Sequence, residues 1–163
     1  MTSRRDENQG KISELRSRLI DLLSGMDYCL DWKADSSSWS PRQVVYHILD
    51  TPLGGIHKIV KGMLSGDIAE FEIRSDLDNM TVERMGYDID QVRGDIEKFF
   101  HELDAAVDSA SAENFDGKSA LLHLPSRGVD ESRTVQELLD RAFEGHWTGH
   151  LAQINDIRDA LGM

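Results

Sequence analysis

Two histidines, His146 and His150, stand four residues apart near one end of a 163-residue chain. On a helix that spacing puts both imidazoles on one face, about one turn apart. Leu139, Ala142, Phe143 and Ile154 flank them in a helical repeat of apolar residues. A buried neutral imidazole carries one N–H and one acceptor nitrogen, and each needs a partner. One metal ion satisfies the acceptor nitrogens of both rings, and an i,i+4 histidine pair is a common way to present them. Hydrogen-bonded or solvent-facing histidines fit the same spacing, so the pair alone leaves both readings open. His47 adds a third ring on the apolar side of an earlier segment, one turn from Val44 and next to Ile48. Three neutral imidazoles from two helices would hold a divalent ion on one side and leave other positions free. Open positions mark a catalytic or substrate-binding metal, whereas a structural zinc is closed by four ligands.

Other side chains are weighed around this trio. Asp50 lies three residues past His47 and is the candidate general base, or the acceptor that orients an imidazole. A solvated helix residue is the plain alternative. Gln153, three past His150, invites the same readings. His57 is rotated off the His47 face and is read as surface or pocket rim. His101 is read as solvated or hydrogen-bonded, and His123, in a long loop, as an outside candidate for a fourth ligand. Cys29 falls on an apolar stripe and reads as a small core residue, with a metal-poised thiolate as the rival. Trp147 is read as packing beside the site. Met26 and Tyr28 are placed at a pocket mouth, although core packing explains Met26 equally well.

Four segments must position these residues. In the first, Ile12, Leu15, Leu19, Leu22, Met26 and Cys29 recur at helical steps, and residues 1–9 are expected to be a flexible extension. The second opens with Ser40-Pro41, an N-cap hydroxyl followed by a residue that lacks an N–H to satisfy. It carries Val44, His47, Ile48, Ile56, Ile59, Val60 and Met63, with a kink expected at Pro52. The third runs from about Asp88 to Ser109 on Ile89, Val92, Ile96, Phe99, Phe100, Leu103 and Val107. The fourth opens with the capping box Thr134-Val135-Gln136-Glu137 and ends at Gly162. None of the four buries its stripe alone. The expectation is an all-α four-helix bundle in a single domain spanning 1–163. A long connection joins helices two and three, with a short turn near Thr81–Arg84. A long loop, 112–133, precedes helix four, and Ser119–Leu124 within it can pair as a short strand.

Composition narrows the class. The chain has 18 Lys and Arg against 30 Asp and Glu, a net charge of −12, and a single Cys. One Cys forms no internal disulfide, so the fold does not require an oxidising compartment. The acidity argues against nucleic acid and against anionic membranes as partners. The polar first ten residues do not read as a signal peptide, and no apolar run approaches the roughly 20 residues that span a bilayer. A cytoplasmic protein is expected. The acidic run Asp67, Glu70, Glu72, Asp76 and Asp78 reads as a solvated face.

The stretch Trp39-Ser40-Pro41-Arg42-Gln43-Val44-Val45-Tyr46-His47-Ile48-Leu49-Asp50 resembles the helix-two signature of the DinB-like (YfiT-like) metalloprotein superfamily. So does His146-Trp147-Thr148-Gly149-His150-Leu151-Ala152-Gln153-Ile154-Asn155-Asp156-Ile157-Arg158, with the trailing Leu161-Gly162. The order of all four helices agrees. The resemblance implies a four-helix bundle and a divalent metal, zinc or nickel, on His47, His146 and His150. Some relatives carry Glu where His146 stands. Characterised relatives activate a low-molecular-weight thiol for transfer or isomerisation, and relatives are often dimers. The expected function is therefore a metal-dependent transferase or hydrolase acting through a small thiol or water on a small-molecule substrate. The alternative is a non-catalytic metal-binding stress or interaction protein.

Overall fold

The computed structural model describes residues 1–163. Helix α1 spans Arg4–Leu22 and is opened by Ser3, whose side chain accepts from Asp6 N–H while the Asp6 carboxylate reaches back. Residues from Arg4 onward, expected in a flexible extension, are thus helical. Asn8 is buried, and its amide exchanges hydrogen bonds of 3.0 and 3.1 Å with Gln136. A reciprocal cap and a satisfied buried amide are what tie this segment down.

Helix two is divided. Helix α2, Pro41–Asp50, starts at Ser40 with a capping box to Gln43. Helix α3, Ile56–Ser65, follows a turn in which Gly54 and Gly55 have φ of +89° and +94°. Pro52 was expected to kink one helix. With two adjacent glycines in left-handed backbone it ends the helix instead. A Cβ at Gly55 would sit 2.7 Å from the Leu49 carbonyl. Arg42, buried on α2, bonds both oxygens of Asp31 and the carbonyls of Arg84 and Tyr87. It pins two connections to the bundle.

Strand β1 is Glu70–Glu72 and the short helix α4 is Val82–Met85, capped by Thr81 as its sequence suggests. Helix α5, Ile89–Asp108, takes Asp88 as its cap and packs on α1 and α3. A short helix α6, Asn114–Gly117, precedes β2, Ser119–Leu124, and β3, Val129–Thr134. The sheet order is β1-β2-β3, with β1 and β2 parallel and β2 and β3 antiparallel. The helical bundle is as expected in the main, and a small three-stranded sheet is added to it. The long loop before helix four is largely this hairpin, held because Ala120 and Leu122 point into the core while Ser119 and Leu121 point away.

The last helix is α7, Val135–Arg141, a π turn over Ala142–His146, and α8, Trp147–Ala160. Helix α8 packs on α1 and α2. A single core of 37 buried apolar residues draws on all four long helical segments and the sheet. No helix is long and apolar enough to cross a membrane.

Candidate metal centre

The π turn decides where the two late histidines face. A strict 3.6-residue repeat from Leu139 and Ala142 would bury His146 and His150 in the middle of the core. The turn adds a residue, so Trp147 and Leu151 take those places, 1% and 2% exposed. The histidines stand beside the core, partly buried. Thr148 Oγ1 donates to the Phe143 carbonyl, at 2.6 Å, which partners one acceptor in the widened turn.

The sequence-predicted trio converges. One ring nitrogen from each of His47, His146 and His150 lies within 4.8 Å of the others. His47, fully buried on α2, donates Nδ1–H to the Leu77 carbonyl at 2.6 Å. Its Nε2 therefore carries a lone pair, and it faces His146 Nε2 at 2.8 Å. His150 donates Nδ1–H to Gln153 Oε1 at 2.9 Å, which leaves its Nε2 as an acceptor as well. Backbone and amide partners thus fix two of the three tautomers so that Nε2 is the free donor atom for a metal. Burial, then the neighbouring His150 and His47, push His146 down to about 3. Burial also lowers His47, against its bond to the Leu77 carbonyl. Rings held neutral are the form that binds metal. A zinc–nitrogen bond of about 2.0–2.1 Å needs nitrogens about 3.0–3.4 Å apart. The cluster brackets that spacing, so the residues present fit a divalent ion.

Trp39 covers one side. Its ring centroid is 4.8 Å from that of His47, and it stacks on His150 at 6.1 Å. On the other side His146 lines a cleft of about 600 Å³ between the π turn, the hairpin and the Thr51–Ile56 turn. The triad is thus walled by an aromatic ring and opens through His146.

The remaining candidates are placed elsewhere. Asp50, the candidate base, accepts from Gly54 N–H at 2.9 Å and from Arg84 Nη1 at 3.3 Å. It is the last residue of α2, and its carboxylate is taken up in holding the turn that follows. No carboxylate hydrogen-bonds any of the three imidazoles. Gln153 does take the orienting role, on His150. His123 is on the hairpin between Asp130 and Glu70, whose hydrogen bonds raise its pKa, and is no fourth ligand. His57 pairs with Glu102 and packs on Phe99, and His101 is exposed. Cys29 is partly buried against the core, and burial pushes its thiol up, away from a reactive thiolate. Trp147 packs on Phe99, Phe100 and Phe143. Met26 is core, whereas Tyr28 is fully exposed and lines no site. Sequence reasoning missed Leu77 and Trp39 as site residues. Leu77 acts through its backbone, so its side chain carries no signal. Trp39, eight residues ahead of His47 and just before a cap, could have been flagged.

These features define a helical bundle with three histidines gathered between its second and last helices and a small sheet beside them. No family model matches the sequence, and no curated protein matches it. Among solved structures the chain is similar to YfiT from Bacillus subtilis, with a TM-score of 0.74 and 18% identity over 99% of this chain and 91% of that one. That protein is described as a probable metal-dependent hydrolase with an unusual four-helix bundle topology. A protein from Streptococcus pneumoniae aligns with a TM-score of 0.63 and 10% identity, covering 98% of this chain and 92% of the other. This chain has the YfiT fold, and the resemblance read from its two helix motifs is borne out at that level.

Proposed function

We propose that this chain is a divalent-metal enzyme that uses a small thiol as its nucleophile, in S-transfer or thiol-dependent isomerisation. The observation that carries the reading is the convergence of three imidazoles, two of them with Nε2 left as acceptor, at the edge of a cleft. His47, His146 and His150 would hold the ion. Zinc and nickel both suit imidazole ligands. When bound, a divalent ion supplies Lewis acidity and makes a thiol or water nucleophilic near neutral pH. Leu77 and Gln153 keep the rings oriented, and Trp39 keeps water from one side of them. The thiol is preferred to water because no carboxylate hydrogen-bonds any ring of the triad, where it would be held ready to take a proton. A thiol ionises from about 8.5 and needs less help than water. Hydrolysis is the second reading, favoured by the description of the structurally similar YfiT.

The deciding experiment starts from protein purified without a histidine tag, with metal content compared in the parent and in H146A/H150A. Equal, near-zero metal in both would sink the metal reading. The metal-loaded parent is then given 1-chloro-2,4-dinitrobenzene with cysteine, glutathione, bacillithiol or mycothiol, and separately p-nitrophenyl acetate without thiol. Acceleration over free metal with one thiol, lost in H47A, supports transfer. Ester hydrolysis alone supports the second reading. No acceleration in either assay leaves a metal-binding protein without catalysis.

A further inference from the structure

The cleft beside His146 has a charge pattern that the triad does not use. Ile56, Ile73, Leu124 and Leu138 give it an apolar body, and Arg127, Arg133 and Arg141 stand on its wall. Its volume of about 600 Å³ suits a small organic molecule. In a chain with 30 acids against 18 bases, an arginine side chain has carboxylates in excess to choose from. Arg127 and Arg141 are exposed and pair with none. Arg133 is buried and bonds Glu131 through Nε and Nη2, which leaves Nη1 without a protein partner.

All three guanidiniums share one neighbourhood. Glu131 is held below the ordinary carboxylate range first by its hydrogen bonds from Arg133, then by the charges of Arg133, Arg141 and Arg127. Two further acids, Asp140 and Glu144, lie on the cleft itself, and Lys11 stands 4.0 Å from the first and 3.0 Å from the second. Arg127, Arg133, Arg141 and Lys11 therefore outnumber Glu131, Asp140 and Glu144 by one charge. Planar guanidiniums bind carboxylate and phosphate oxygens in pairs, so an excess of them beside apolar walls selects for an anion with a hydrocarbon body.

We propose that this cleft binds a small molecule with an anionic head, carboxylate or phosphate, on Arg127, Arg133 and Arg141, its apolar body lying toward His146. The proposal rests on the reading of the triad as the reactive centre and names the substrate class for it. The head is anchored on the hairpin and α7, and the opposite end of the molecule is presented to the histidines.

The test uses the full chain stripped of metal with chelator, so that no probe binds an ion directly. Hexanoate, hexyl phosphate and neutral hexanamide are titrated by calorimetry at pH 7 in low salt. At least one anion should bind ten times or more tighter than hexanamide, and the better of the two identifies the head group. R127Q/R141Q, altered only at exposed positions, should lose at least tenfold of that preference while taking up metal like the parent. E131Q removes the competing carboxylate and should tighten the anion, a gain that a merely damaged fold does not produce. Equal affinity for all three probes, binding of none, or an unchanged preference in R127Q/R141Q overturns the proposal. So does E131Q binding the anion no better than the parent. Metal content in H146A/H150A, measured alongside, tests the triad separately, so the two readings fail by different results.

Discussion

Replacing His146 with Ala should alter how stability depends on pH before any metal is added. The ring is pushed down to about 3 in the folded chain, by burial first and by the neighbouring rings second. In the unfolded chain it titrates near about 6.5. Between those values the unfolded state holds one more proton than the folded state. The contribution of the neutral ring is fully present above pH 6.5 and drains away as pH falls toward 3. At pH 5 the loss is at most about 2 kcal/mol, about 1.5 units below the unfolded value at about 1.36 kcal/mol each. The edge that faces the cleft lowers that figure. Urea unfolding in chelator at pH 7 and pH 5 should show the parent losing more stability than H146A by up to this amount. With zinc at a hundredfold excess over its dissociation constant, the parent should gain about 2.7 kcal/mol. H146A, short of one ligand, should gain far less at the same zinc. The same pH-dependent loss in both proteins would refute the picture of a buried neutral ring. An equal gain from zinc would refute the triad.

Three further outcomes follow from the geometry. Gln153→Leu takes the acceptor from His150 Nδ1–H and should weaken metal binding about 10–100-fold in a chelator competition, with unfolding little changed; unaltered affinity would show that His150 needs no such support. Trp147→Ala opens a hole among Phe99, Phe100 and Phe143 and should cost about 3–5 kcal/mol in denaturant unfolding; a loss below about 1 kcal/mol would contradict its core position. Ser40→Ala removes the cap of α2 and should cost about 1 kcal/mol. Because His47 rides on that helix, metal affinity should fall in the same variant, and unchanged affinity would show that His47 is placed by its neighbours alone.

The helices were legible because their signals are local. Ser40-Pro41, Asp88 and Thr134 with Glu137 are each a cap whose atoms lie within a few residues, and each opens a helix as its sequence suggests. The histidine trio was legible because two of its members are one turn apart and the third lies on a similar stripe. Strand β2 was legible as Ser119–Leu124, but its two partners were hidden for physical reasons. Strand β3 reads Val-Asp-Glu-Ser-Arg-Thr, with hardly an apolar side chain to set an alternation, and β1 is three residues in an acidic stretch. Their pairing is a matter of distant partners, Phe71 beside Leu122 and Ala120 beside Arg133. Asp50 sits where its spacing from His47 suggests, but it ends α2 and its carboxylate bonds Gly54 N–H and Arg84 instead of an imidazole. The π turn left no mark in the apolar repeat, because His146 and Trp147 both fit the periodicity and only packing chooses between them.

That turn also bears on which changes of length the chain tolerates. In an ordinary helix the loss of one residue swings everything beyond it by about 100° and exchanges inside for outside. Between Ala142 and Trp147 the same loss restores an unbroken α-helix. Trp147 would then stand four residues past Ala142 instead of five and still face inward. The chain thus holds one short stretch where a deletion keeps both halves of its last helix in phase.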